Sequence, residues 1–299
     1  LVLGPGKAVT VEAVRLAVSN RIPVYFSYAD GTPYCALLPL SATGTVVARR
    51  EQYKAYYDGR GLRLARAFVA GKVVNQSRLL REYARRAAAR GRGELAGELR
   101  AVAGELDSIA AEVHQVEGVL EGAGRRRLMA LEAQAASLYW EMFSRLIPGG
   151  WGFPGRVKRG AGDPVNMMLN LGYGLLRARV HTAVFYAGLD PYAGYLHADR
   201  SGRESLTLDL MEEFRQVAVD RVVLKLLNLR AVRREGFSEG RIRQPALSRV
   251  VEAFEEEMER SFPAPGGGKV KLKRAIHRQA RMVARFLVSG EEYVPFTAW

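Results

Sequence analysis

The sequence has one cysteine, Cys35, and four histidines among 299 residues. A lone thiol excludes an intrachain disulfide framework and a zinc site built from cysteines of one chain. It fits a reducing interior, so a cytoplasmic location is expected. No run of about 18 apolar residues occurs, and no basic, apolar leader opens the chain, so neither membrane spanning nor secretion is supported. The first residues, LVLGPG, lack a methionine and read as though entered inside a strand; further N-terminal sequence is expected. No Glu-x-x-His pair appears, which removes a helical di-iron oxidase from consideration. A phosphate-binding loop at LVLGPGKAVT also fails: counting back from Gly6-Lys7, the first glycine should fall at Leu1, and Ala8 stands where Ser or Thr is needed.

Acidic residues are scarce relative to basic ones. The 31 Asp and Glu against 45 Lys and Arg leave a formal net charge of +14 at pH 7. Such a field attracts polyanions, nucleic acid first and an anionic membrane surface second. The 48% hydrophobic content suffices for a core in one large domain or two ordinary ones.

An α+β architecture is expected, with a small β-rich N-terminal domain over residues 1–60. PVYFSY and PYCALLPL flank Asp30-Gly31-Thr32, a turn signal that predicts a hairpin over 23–40. AVTVEAVRLAVSN has helical spacing and Asn20 near its end. Residues 61–124 read as a helical linker and the first helices of an α domain, with amphipathic segments at 62–90 and 94–121 separated by the breaker GRG. Residues 125–299 form the larger α-helical domain, interrupted by Gly/Pro loops at 148–156, 188–192 and 263–269. No internal repeat of fixed period is present.

Three stretches of the α domain carry ionisable side chains into apolar surroundings. Leu128, Leu131, Ala135, Leu138 and Met142 make one stripe, with Glu132, Ala136, Tyr139 and Phe143 in the row beside it. Glu132 therefore stands at the edge of a buried face and needs a cation, a metal or a proton. A helix capped by Asp163, with Pro164 at its first position and Gly188 beyond its end, is apolar around most of its circumference. It carries a polar seam of Asn166, Asn170, Tyr173, Arg177 and His181. Gly172 and Gly174 there predict the close approach of another backbone. A third helix, starting near Leu206, aligns Asp209, Glu212, Gln216 and Asp220 among leucines, valines and Phe214. Placed beside His197 and Glu132, these acids make an oxygen-rich set with one imidazole, suited to Mg²⁺ or Mn²⁺. Spacing alone does not bring them together; structural ion pairs and a loop histidine bonded to a backbone carbonyl are the competing reading.

The ordered pieces LEAQAASLYWEMF (131–143), DPVNMMLNLGYGLL (163–176), AGLDPYAGYLH (187–197) and GRESLTLDLMEEFR (202–215) resemble the CRISPR-associated integrase family of spacer acquisition, Cas1. ARREQYKAYYDG (48–59) and KVVNQSRLLREYAR (72–85) are similar too, so the resemblance covers nearly the whole chain. It implies a metal-dependent DNA endonuclease and integrase, a homodimer, and assembly with the small Cas2 protein around duplex and branched DNA. The metal ligands it implies fall on Glu132, His197 and an acid of the third stretch. Many relatives have an aspartate where Glu212 stands, and Asp209 is a second acid one turn earlier. The expected arrangement is Glu212 as direct ligand with Asp209 supporting it, the reverse remaining open. The implied reaction is a transesterification in which a 3′-OH attacks a phosphodiester of the repeat; it needs no Ser, Cys or Tyr nucleophile.

For the excess positive charge, Arg274, Arg278, Arg281 and Arg285 line one helix face able to follow phosphates, after a loop carrying Lys269, Lys271 and Lys273. Arg125, Arg126 and Arg127 are a second group. Arg215, one turn beyond Glu212, is placed to reach a phosphate at the metal, and Arg156, Lys158 and Arg159 precede the polar-seam helix. Trp151 and Phe153 suit packing more than base stacking. The aromatic C-terminus EEYVPFTAW suits docking on its own domain or on a partner. The rival function from another class is a non-catalytic, basic DNA-binding scaffold.

Overall fold

The computed structural model describes residues 2–20, 22–28, 33–38, 45–158, 160, 162–238, 240–263 and 268–298. The Asp30-Gly31-Thr32 turn, Arg159, residues 264–267 and Trp299 lie outside them.

Short β-branched and aromatic runs build a three-stranded sheet at the start of the chain. β1 (Val2–Leu3) runs parallel to β2 (Val24–Ser27), and β2 pairs antiparallel with β3 (Pro33–Leu37) in the register Val24 to Leu37 and Phe26 to Cys35. The parallel pair needs a crossover, which α1 (Val11–Ser19) supplies. Thr10 caps α1 by accepting from the Ala13 amide, and Asn20 closes it. The sheet meets the helices through Tyr25, whose hydroxyl lies 2.8 Å from Thr182 Oγ1.

The helical part begins with α2 (Thr45–Ala55) and the 30-residue α3 (Arg60–Ala89). α3 ends at Arg90-Gly91, where Gly91 takes φ +74, and the chain returns along it as α4 (Gly93–His114). The inner face of α4 is Leu95, Leu99, Ala103, Leu106, Ile109, Ala110 and Val113, the three- and four-residue spacing of a helix stripe. This helix stops seven residues short of the expected 121, and Gly118 and Gly122 adopt φ +108 and +113 beyond it. L-residues rarely reach such angles, so the helical pattern does not continue there. α5 (Arg125–Leu146) packs on α3 and α4 with Leu128, Leu131, Ala135, Tyr139, Met142 and Phe143 inward.

α6 (Pro164–Tyr186) runs through the core with Asp163 accepting from the Asn166 amide at its start and Gly188 at φ +79 beyond its end. The close approach at Gly172 comes from a side chain rather than the expected backbone: a Cβ there would sit 2.6 Å from Val219 Cγ1. The single helix expected after Leu206 is broken. α7 (Ser205–Met211) gives way to a turn at 212–214 and a π-helical segment, Gln216–Asp220, before α8 (Arg221–Asn228). The polar residues Asp209, Glu212, Gln216 and Asp220 keep three- and four-residue steps across the break, so the pattern does not reveal a widened turn, and π segments are frequent at functional sites.

α9 (Ala246–Glu259) and α10 (Leu272–Ser289) close the core. Two small ribbons lie in this otherwise helical part: β4 (Phe237–Ser238) with β5 (Arg241–Ile242), and β6 (Ser261–Pro263) with β7 (Lys269–Lys271). Residues 290–298 fold back onto the helices. Asn75 donates to the Phe296 carbonyl at 2.9 Å and accepts from the Ala298 amide at 2.9 Å, and Phe296 stacks on Phe214 at 5.0 Å. The C-terminal aromatics thus dock on their own domain. Trp151 and Phe153 are packing residues, edge-on to Phe237 and Phe143.

Candidate active site

Three separate stretches meet beside α3. α5 brings Glu132, the loop after α6 brings His197, and the α7 region brings Asp209, Glu212 and Arg215. α3 contributes Lys72, whose role its spacing in the sequence does not reveal. Its Nζ donates to Glu132 Oε1 and lies 2.7 Å from Glu212 Oε2, so one ammonium stands between two carboxylates. The only sequence signal was a lysine within the apolar run Ala-Phe-Val-Ala-Gly-Lys-Val-Val of a helix that buries it.

Glu212 is 4% exposed and engages a second cation, Arg215 Nε, at 3.0 Å from Oε1. Burial pushes its pKa up, but Arg215, Lys72 and His197 outweigh that and bring it down to about 2. Burial also pulls the Lys72 ammonium down, and Glu212 and Glu132 together reverse this and leave its pKa raised. Glu212 and Lys72 are therefore both held in their charged forms, with Arg215 as a second cation on Glu212. Despite its distance to Lys72, Glu212 Oε2 has no aligned hydrogen-bond donor.

His197 is set by a carboxylate. Asp209, fully buried, accepts from the Tyr195 and Leu196 amides at 2.6 and 2.9 Å through Oδ2. Through Oδ1 it accepts from the His197 amide at 2.9 Å and lies 2.6 Å from His197 Nδ1. A carboxylate only accepts, so Nδ1 carries a proton, and it is the neutral form of the ring whose Nε2 presents a lone pair. Both oxygens of Asp209 are occupied in holding this loop, which leaves Glu212 as the acid facing Glu132's partner. Gly194 permits the approach: a Cβ there would lie 2.6 Å from backbone and side chain of Ser205 and 2.8 Å from Asp209 Oδ2. Gln52 on α2 fixes the start of the loop, donating to the Asp190 and Ala193 carbonyls at 2.8 and 2.7 Å. Arg125 donates to the Tyr195 carbonyl at 3.1 Å and to the Tyr56 hydroxyl at 2.9 Å, so this member of the 125–127 group has a local structural task.

The polar seam of α6 supports the site from behind. Asn166 and Asn170 accept from Arg156 at 3.0 and 2.7 Å. The guanidinium groups of Arg156 and Arg215 lie 5.1 and 4.8 Å from the Tyr173 ring centre. The Tyr173 hydroxyl donates to Asp220, which also accepts from Tyr139 at 2.8 Å; burial nevertheless raises Asp220 to about 6. Arg177 and His181, farther along the seam, pair with Glu204 at 3.2 and 3.1 Å. Arg156 is thus committed to internal partners, as Arg215 is. On α10, Arg274, Arg281 and Arg285 are exposed and Arg278 partly so, on the side away from Gln279, through which that helix touches Glu213. Glu213 was also missed. It is buried beside Glu212 but points to the C-terminal segment, accepting from Tyr293 and the Phe296 amide at 2.6 and 2.7 Å.

Among the described residues, no three His, Cys, Asp or Glu groups stand close enough to enclose an ion as they are. No described helix is long and apolar enough to cross a membrane.

The family model described as CRISPR associated protein Cas1 matches residues 1–256. A relative from Archaeoglobus fulgidus named CRISPR-associated endonuclease Cas1 1 is 41% identical over 241 residues, 79% of this chain and 69% of its own length. In fold, the chain is similar to a casposase bound to integration product, with TM-score 0.82 and 24% identity over 97% of this chain and 78% of the other. It is also similar to a chain of a Cas6-RT-Cas1–Cas2 complex, with TM-score 0.76 and 20% identity over 100% of this chain and 32% of that one.

Proposed function

The chain belongs to the Cas1 family of CRISPR-associated proteins, and from that premise we propose that it is a divalent-metal-dependent DNA endonuclease and integrase that inserts spacers into a CRISPR array. The observation that carries this reading is that Glu132 and Glu212 share one positive charge, Lys72, with His197 near enough to act electrostatically on Glu212.

The residues fit a hard divalent ion. Lys72 is a cation already standing between two carboxylates, Glu212 Oε2 lacks an aligned donor, and His197 Nε2 is left with a lone pair by Asp209. Oxygen donors with one imidazole suit Mg²⁺ or Mn²⁺. Glu132, Glu212 and His197 would be the ligands. Asp209 would act through His197, the carboxylate–histidine pairing that orients metal-binding imidazoles. An ion bound there supplies electrostatic stabilisation to an in-line displacement at phosphorus.

The chain's own residues do the rest. Glu132 and Glu212 bring negative charge to the ion without offering a proton. Asp209 fixes the imidazole tautomer. Arg215, held to Glu212 and over Tyr173, keeps that carboxylate oriented. A bound DNA 3′-OH attacks a phosphodiester of the repeat and gives its proton to water, one phosphorus–oxygen bond forms as another breaks, and the displaced 3′-oxygen leaves and takes a proton from water; water in place of the 3′-OH gives hydrolysis. The net charge of +14 and the exposed arginines of α10 favour duplex and branched DNA as substrate. A homodimer and a small Cas2 partner complete the proposed assembly, a reading supported by the Cas2-containing complex of a protein of the same fold.

The second reading is a non-catalytic DNA-binding scaffold, favoured by the pairing of both acids with Lys72 and Arg215. Incubation with branched and nicked DNA in Mn²⁺ or EDTA separates the two. Cutting or strand joining that needs Mn²⁺ and is lost in Glu132→Ala and His197→Ala, with DNA binding retained, supports the enzyme. Activity unchanged in both variants rejects the site.

A further inference from the structure

Lys72 is the member of the cluster that a divalent site does not call for. Its side chain is 10% exposed, reached from the middle of α3, and its ammonium contacts Glu132 and Glu212 together. Without it, the two carboxylates would face each other in a poorly solvated site and repel. The helix beneath is fixed: a Cβ on the adjacent Gly71 would meet Pro295 at 2.9 Å and Glu213 at 3.1 Å, so the backbone is already tightly covered. The lysine stem above it is four flexible carbons ending in a point charge, with no planar fork to lock it to its partners. At Glu212 Oε2 the contact is one of charge without alignment. An ammonium held in this way can yield to a cation of higher charge.

We propose that Lys72 is a displaceable internal cation, which holds Glu132 and Glu212 together in the metal-free protein and is expelled from between them when a divalent ion binds. The proposal rests on the divalent-metal reading given above. Its consequence is that the ion competes with a tethered positive charge, so the affinity for metal is held below what the carboxylates alone would give. Removing the competitor strengthens binding, even though it removes a favourable contact from the folded protein.

The test is a Mn²⁺ titration of the full chain without DNA, with free Mn²⁺ read by electron paramagnetic resonance. Lys72→Met and Lys72→Gln are compared with the wild type after circular dichroism verifies their helix content. Both variants are expected to bind Mn²⁺ about tenfold more tightly, through loss of competition and of a neighbouring like charge. Equal or weaker binding in the variants overturns the displacement. If the wild type and both variants take up no Mn²⁺, the metal reading itself falls; if all three bind alike, that reading stands and displacement alone is rejected. The unaltered protein gives an independent check. Acetylation of Lys72 by an amine-reactive reagent, read by mass spectrometry, is expected to rise when Mn²⁺ saturates the site, and a rate unchanged by Mn²⁺ contradicts expulsion.

Discussion

Replacing Asp209 by asparagine separates a residue that positions His197 from one that would bind metal directly. The carboxylate accepts from three backbone amides, at 2.6, 2.9 and 2.9 Å, and meets His197 Nδ1 at 2.6 Å, with two contacts on each oxygen. An amide keeps one acceptor oxygen and turns the other position into a donor. With the NH₂ at Oδ2, the Tyr195 and Leu196 amides face a donor. With the NH₂ at Oδ1, the His197 amide faces it, and the imidazole escapes the clash only by moving its proton to Nε2. The first arrangement leaves two buried donors unpaired; the second removes the lone pair expected to bind metal. The second leaves only one backbone donor unpaired and is the cheaper, so at about 1–3 kcal/mol for each unsatisfied group Asp209→Asn is expected to destabilise the protein by about 1–3 kcal/mol. Urea unfolding followed by circular dichroism measures this, and Mn²⁺ affinity is expected to fall in the same variant. A stability change below about 0.5 kcal/mol, the scale of an ordinary surface substitution, would refute the claim that this carboxylate holds residues 195–197.

Asp220 gives a pH dependence with a defined sign. Its pKa is raised from 3.8 to about 6, so the folded state binds more protons than the unfolded chain between those values. The stabilisation is present below the unfolded pKa and is lost as pH rises through about 6, a difference of about 3 kcal/mol at most. Asp220→Asn is expected to flatten the fall of melting temperature between pH 4 and pH 6.5, and an unchanged profile would exclude Asp220 as its source. Gly194→Ala places a methyl 2.6 Å from Ser205 backbone; a loss of about 1–3 kcal/mol in denaturant unfolding is expected, and wild-type stability would show that the loop yields freely. Reversing charge at the exposed Arg274 and Arg281 is expected to weaken DNA binding and reduce the slope of log affinity against log salt by about 0.9 per lost phosphate contact. An unaltered slope removes that face of α10 from the DNA path.

What was legible in the sequence was what local chemistry dictates. Asp163, Pro164 and Gly188 each have a strong positional preference, and α6 begins and ends where they stand. The stripe of α5 likewise puts Glu132 at the margin of a buried face, where a cation is required and is found. Harder to read was anything set by meeting across the fold. Lys72 lies 60 residues from Glu132 and looks from spacing alone like one more charge on a long helix. The break after Met211 hides in a segment whose Asp209, Glu212, Gln216 and Asp220 keep the spacing of an unbroken helix, and its turn is what sends Glu212 toward Lys72 while Glu213 faces Tyr293. The C-terminal aromatics were equally suited to self-docking or to a partner until Asn75 and Glu213 supplied matching donors and acceptors.

The most direct test is crystallography of the protein soaked in Mn²⁺, with anomalous scattering locating the ion. A single peak contacted by Glu132, Glu212 and His197 Nε2, with Asp209 still on Nδ1, is the expected result. A peak elsewhere, or no peak while Lys72 still bridges the two glutamates, would contradict the assignment of this cluster as the catalytic centre.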